Sequence, residues 1–176
     1  MVWLHGGGFS TGSGSGPIND GINLARKNDL VVVSINHRLN VLGSTYLGEV
    51  AGPEFTLSGA VGMLDIVAAL HWVRDNIGHC GGDSNLVTIF GQSGGGRKVA
   101  TLMSMPGSRG LFHRAIIESG AVLRLTTQED AIHQTELLLR ELGLQSRQAR
   151  ELQNLPVEKL LAWEPEAPAL PAKFHC

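Results

Sequence analysis

Cysteine is nearly missing from this chain of 176 residues: Cys80 and the terminal Cys176 are the whole complement. No disulfide framework can therefore hold the fold, and no redox compartment is indicated. An excess of either charge is lacking too. Fourteen Lys and Arg stand against sixteen Asp and Glu, which excludes the basic footprint of a nucleic-acid binder. With 43% apolar and 17% charged residues, a disordered polyelectrolyte is excluded as well. No apolar run reaches the roughly 18 residues of a membrane span, and Met1-Val2-Trp3-Leu4 is not a signal peptide. No repeat is visible, and neither metal-ligand spacing nor a cofactor fingerprint occurs, so no metal and no cofactor are expected. What is abundant is glycine. Its 23 residues are clustered rather than periodic, which marks places of tight backbone approach, and the chain is long enough for one domain with a real core.

The apolar runs, sorted by length and by what bounds them, follow a βαβ rhythm. Val2–Leu4 stops at His5-Gly6-Gly7-Gly8, and Leu30–Ile35, Leu86–Phe90 and Arg114–Ile117 are further short runs of β-branched and apolar residues. Short, almost wholly apolar strands predict a parallel sheet buried on both faces by helices. Val61–Ile77 supplies one such helix, with Met63, Ile66, Val67, Leu70, Val73 and Ile77 on one face and His71, Arg74 and Asp75 on the other. A second helix is expected from about Asp20 to Lys27, and a third directly after Gly91-Gln92-Ser93. Residues 1–120 therefore read as an α/β core and 121–162 as a helical segment of the same domain. That segment has one helix opened by a capping pattern at Thr127-Gln128-Glu129-Asp130 and closed by Gly143, and another capped by Ser146 and running to Leu155. Three prolines between 165 and 171 make 163–176 an irregular tail.

Two glycine clusters carry chemistry. Gly91-Gln92-Ser93-Gly94-Gly95 is a G-x-S-x-G nucleophile elbow placed between a strand and a helix, the setting that distinguishes the motif from a chance Gly-Ser loop. Small residues two before and two after the serine let the strand and helix backbones cross, and the turn pushes the Ser93 hydroxyl out with a helix N-terminus behind it. His5-Gly6-Gly7-Gly8-Phe9 ends the first strand, and its peptide N–H groups are free to converge on an oxygen, as an oxyanion hole requires. Alone it would be a flexible loop. Paired with the elbow it reads as the HGGG partner of G-x-S-x-G.

Trp72-Val73-Arg74-Asp75-Asn76-Ile77, Gly81-Gly82-Asp83 and Val87-Thr88-Ile89-Phe90-Gly91-Gln92-Ser93-Gly94-Gly95-Gly96 together resemble the signature of type-B carboxylesterases, most of all the bacterial para-nitrobenzyl-esterase-like members. Asn36-His37-Arg38-Leu39-Asn40, Gly62-Met63-Leu64-Asp65 and Gly110 through Gly120 match the same family, so the similarity runs to about Leu161. The resemblance implies an α/β-hydrolase fold, here partial: a mostly parallel sheet flanked by helices and followed by a helical segment. It implies hydrolysis of small-molecule carboxylic esters through an acyl-enzyme, with Ser93 as nucleophile and the N–H groups of Gly7, Gly8 and Gly94 as oxyanion donors. Gln92 falls where many members carry Glu, Ser119 where a buried serine supports the active-site network, and Arg38 and Asp65 where a structural ion pair lies behind the site.

In that family the acid and the histidine of the triad come late in the chain, and no segment here matches the motif around either. His113, His133 and His175 read as structural or solvent-exposed. The chain thus reads as a fragment of a longer enzyme, with a catalytically inert fragment and a non-catalytic cholinesterase-like interaction protein as the alternatives. Cys80 stands where an aromatic is common and reads as a small hydrophobe. Arg97 stands where relatives carry a small residue, and would need a carboxylate if its helix face were buried.

Overall fold

The computed structural model of the chain describes residues 1–122 and 124–163, which fall into two compact units. One comprises residues 1–44 and 60–125, the other residues 45–59 and those from 126 onward. The irregular tail expected at 163–176 lies outside the described residues apart from Trp163, which is buried. Among the described residues the α-helices are, in chain order, α1 (Ile22–Asn28), α2 (Val41–Ser44), α3 (Gly48–Ala51), α4 (Val61–Asn76), α5 (Gly94–Ser104), α6 (Gln128–Glu141) and α7 (Val157–Leu161). The strands are β1 (Val2–Leu4), β2 (Val33–Ser34), β3 (Thr88–Gln92) and β4 (Arg114–Glu118).

In the first unit the four strands form one parallel sheet in the order β2-β1-β3-β4. Val2 lies opposite Val33 on one side and Ile89 on the other, Leu4 opposite Gly91, and Gln92 opposite Glu118. Parallel neighbours need long crossovers, and α1, α4 and α5 lie in them. α4 forms where the spacing predicts it. Met63, Ile66, Val67, Leu70, Val73 and Ile77 are buried, while His71, Arg74 and Asp75 are exposed. Ile66 and Leu70, together with Val99 and Leu102 of α5, pack in one core with Val2, Leu4 and Ile89. Each fully buried aliphatic of this kind contributes about 1.5–3 kcal/mol. The stretch Pro53–Cys80 around α4 is long and apolar enough by composition to cross a membrane, but the apolar face of α4 is taken up by this core.

The sheet departs from the expected double burial. Its second face carries Trp3 and Phe90, whose rings meet at 4.9 Å and 58°, and then Ile116, which is 42% exposed. There the Pro17–Asn19 turn, rather than a long helix, covers Trp3 and Ser34: Trp3 Nε1 donates to Asn19 Oδ1 at 2.9 Å and Ser34 Oγ to Asn19 O at 3.2 Å. β2 is also shorter than the run from Leu30 to Ile35, because its ladder extends only as far as the three-residue β1 beside it.

In the second unit α6 is capped as the sequence predicts, Thr127 Oγ1 accepting the Asp130 N–H at 3.1 Å. Thr135 on its inner face donates to Tyr46 O at 2.8 Å. The helix expected from Ser146 forms as a 3-10 helix over Ser146–Asn154, and its cap is Gln145, not Ser146, in a reciprocal box with Gln148. Each glutamine side chain accepts the other residue's backbone N–H, that of Gln145 reaching Gln148 Oε1 at 3.0 Å, so two otherwise orphaned donors are satisfied. Arg150 donates from Nε and Nη2 to Ala51 O, pairs with Glu54, and stands over the Phe55 ring. These bonds bring residues 45–59, read above as part of the α/β core, into the helical unit.

Candidate active site

The elbow is built by strain and close approach. Ser93 sits between β3 and α5 with φ 56° and ψ −119°, a conformation L-residues rarely adopt and one that costs about 1–3 kcal/mol. Its N–H donates to Glu118 O at 2.8 Å, and its carbonyl accepts the first intrahelical bond of α5, from Arg97 N–H at 3.0 Å. The backbone on either side is therefore held while the serine itself is exposed. The crossing requires glycine at both ends. A Cβ on Gly91 would meet Gly95 C at 2.5 Å and Leu4 O at 2.7 Å, and one on Gly95 would meet Leu4 C at 2.9 Å and His5 O at 3.1 Å.

The glycine loop follows β1, the strand paired with β3, so parallel register delivers both clusters to the same end of the sheet. Gly7 (φ 88°) and Gly8 (φ 65°) take left-handed conformations. Thr11 N–H bonds back to Gly7 O at 3.1 Å to close the turn. The loop lies against the elbow. A Cβ on Gly6 would come within 3.9 Å of Ser93 Cβ, and one on Gly94 would meet Gly8 Cα and O at 2.5 Å. Among the described residues, the N–H groups of Gly7 and Gly8 have no hydrogen-bond acceptor. Thus Ser93, Gly7, Gly8 and Gly94 are brought together, and unpartnered amides beside an exposed hydroxyl can stabilise negative charge on an oxygen bound there.

A buried electrostatic cluster underlies the loop. His5 is almost fully buried, its Nδ1 2.8 Å from Gly6 O, and its ring stacks on His37 at 4.8 Å. His5 Nε2 and both ring nitrogens of His37 are buried without a hydrogen-bond partner among the described residues. Burial holds both imidazoles below their ordinary pKa, with Lys98 adding to it, and His37 falls to about 4. Lys98 has no exposed surface, and its ammonium donates to His5 O at 3.0 Å. Burial lowers its pKa to about 8. Arg97, the cation expected to need a carboxylate if its face were buried, is exposed, and its neighbour Lys98 is the buried cation. The signal was present: Lys98 stands four residues before Leu102 and three after Gly95, on the face that the helix must bury.

The remaining predicted residues scatter. Arg38 and Asp65 meet in a bidentate pair, Nε to Oδ2 at 2.8 Å and Nη2 to Oδ1 at 2.6 Å, with Arg38 N–H also donating to Oδ2 at 2.9 Å. Those bonds hold the Asp65 carboxyl below its usual range. Gln92 is exposed at the end of β3. Ser119 is exposed at a left-handed corner after β4, with φ 49°. Cys80 is exposed too, so packing as a small hydrophobe does not describe it. His113 accepts the Val87 N–H at Nδ1, 3.2 Å, before β3 and β4 begin. That is the opposite end of the sheet from Ser93, about 20 Å along the strand. His133 is exposed on α6 in the second unit, and His175 lies outside the described residues.

The model of the carboxylesterase family matches residues 1–173. The chain belongs to the carboxylesterase family. Among curated relatives in that family, the para-nitrobenzyl esterase of Bacillus subtilis is 43% identical over 161 residues, 92% of this chain and 32% of that protein. Cholinesterase 1 of Branchiostoma lanceolatum is 43% identical over 146 residues, 81% of this chain and 40% of that protein. The crystal structure of a Geobacillus stearothermophilus carboxylesterase superposes with a TM-score of 0.88 at 44% identity, covering 91% of this chain and 35% of its own. The α/β-hydrolase fold with its parallel sheet and flanking helices is thereby shown, and the chain spans about a third of the length of these relatives.

Proposed function

We propose that this chain carries the nucleophile and the oxyanion donors of a serine carboxylesterase. Ser93 Oγ bonds to the ester carbonyl carbon while its proton passes to a base contributed from outside these 176 residues. The carbonyl oxygen takes the electron pair and rests on the N–H groups of Gly7, Gly8 and Gly94. Collapse restores the carbonyl as the base returns the proton to the departing oxygen, the alcohol leaves, and the acyl-serine that remains is hydrolysed by water with the same base. The observation that carries this reading is the pairing of a strained, exposed Ser93 with a glycine loop of unpartnered amides packed against its helix. Like the whole protein's substrate range, the ester substrate is part of the proposal.

A fluorophosphonate probe tests it in the form of the protein that includes the base, because such a probe needs the base-activated hydroxyl and the oxyanion donors but no particular acyl group. Ser93 is the residue expected to be labelled, with Ser93→Ala abolishing labelling. Gly8→Ala places a methyl in a left-handed turn and shifts the donor, lowering the labelling rate by about 10²–10³ while the fold is kept. Labelling that persists in Ser93→Ala would sink the assignment.

A further inference from the structure

Lys98 is wholly buried in the first unit, and ester hydrolysis as described gives it nothing to do. α5 turns Gly95, Lys98, Val99 and Leu102 onto the face that meets β1 and β3. From there the Lys98 ammonium reaches the glycine loop twice: it donates to His5 O at 3.0 Å and stands 5.8 Å from the centroid of the Phe9 ring. His5 immediately precedes Gly6-Gly7-Gly8 and Phe9 immediately follows it. One cation therefore holds both ends of the loop from beneath.

We propose that Lys98 is a positioning residue: it clamps the two ends of the Gly6-Gly7-Gly8 loop to the nucleophile helix and sets a buried positive charge behind the oxyanion donors. The proposal rests on the hydrolysis reading above. A hydrogen bond from an ammonium is about twice as strong as one between neutral groups, and the carbonyl it grips belongs to the same peptide as the Gly6 N–H. The cation–π contact adds a second, independent hold on Phe9.

The charge is placed where its field is not cancelled. His5 and His37 face the ammonium as neutral rings. Asp65, the carboxylate that acts on His37, is committed to Arg38. Among the described residues no carboxylate lies within ion-pair distance of Lys98. A methionine of similar length would fill the space without the desolvation cost of an ammonium. The charge is thus a burden on the fold, and what it contributes is order in the loop and attraction for a developing oxyanion.

The experiment compares the base-containing protein of the hydrolysis reading with its Lys98→Met and Lys98→Arg variants, under conditions where circular dichroism shows each folded. It reads ¹⁵N order parameters of the Gly6, Gly7 and Gly8 amides and the rate at which the fluorophosphonate labels Ser93. In the unmodified protein the order parameters are expected near 0.85, and in Lys98→Met below about 0.6. Labelling of Lys98→Met slows about tenfold or more, and Lys98→Arg recovers part of both. In the unmodified protein labelling also declines as pH rises through about 8, where the ammonium facing His5 and His37, with Asp65 behind His37, loses its proton. Rigid glycine amides in Lys98→Met overturn the clamp. If Lys98→Met does not fold, labelling that holds level to about pH 10 in the unmodified protein overturns it instead. Complete failure to label Ser93 in the unmodified protein would reject the hydrolysis reading, while the order parameters still decide for or against Lys98.

Discussion

At Ser93 the side chain and the backbone want different things. The chemistry needs a hydroxyl there, whereas φ 56° suits glycine. Ser93→Gly is therefore expected to unfold at higher urea than Ser93→Ala, by about 1 kcal/mol, although neither variant can be labelled. Equal midpoints would mean that the elbow holds no strain. Lys98 shows the converse limit of reading residues singly. Gly94-Gly95-Gly96-Arg97-Lys98 opens α5 with no apolar stripe, so adjacent cations look equivalent until Val99 and Leu102 fix which one points inward. Ser93 was legible because its neighbours are a β-branched strand and small residues at two fixed offsets. Nothing next to Lys98 in the sequence announces the His5 carbonyl that it meets.

Elements were legible in proportion to their length. The sixteen residues of α4 show four turns of periodicity, and every apolar position on its stripe is buried. α2 and α3, four residues each, contain glycine and too few turns to show any period. The Arg38–Asp65 pair ties the segment after β2 to the first half of α4, and it predicts a pH signature for that junction. The Asp65 carboxyl is held below its ordinary value in the fold. Its contribution is present above the unfolded pKa, near pH 4, and is lost as pH falls through the lower folded value. Because Arg38 is half exposed, the pair contributes about 1 kcal/mol or less. Asp65→Asn should accordingly lower the melting temperature slightly at pH 7 and converge with the unmodified protein in strong acid. Identical melting curves at pH 7 would show that the bidentate geometry adds nothing.

For the whole molecule, the histidine pair under the glycine loop sets the acid limit. His37 is held near 4 in the fold against an ordinary 6.5. The stabilisation is complete above pH 6.5, declines as the pH falls and the unfolded chain takes up the proton, and levels off below about 4. Allowing for the partial exposure of His37, the loss is roughly 2 kcal/mol. Both ring nitrogens lack partners, so His37→Phe keeps the stacking on His5 and removes the titration without leaving a donor stranded. Urea midpoints for that variant should match the unmodified protein at pH 8 and exceed it at pH 5. A variant that loses as much stability between pH 8 and pH 5 as the unmodified protein would place the acid-sensitive group elsewhere.

The pairing of β1 with β3 also bears on how the molecule comes to exist. Lys98 and the His5 carbonyl that it grips are 93 positions apart in sequence, and the strands that carry the two glycine clusters are nearly as remote. Contacts of such separation form late, since the loop between them must close before any of them helps. A ribosome adding about 5–20 residues per second leaves the His-Gly-Gly-Gly segment waiting several seconds, at the end of a strand unpaired on its β3 side, for the serine turn to emerge. During synthesis, half of this site is no site at all, and the apolar β1 is most exposed to wrong partners in that interval.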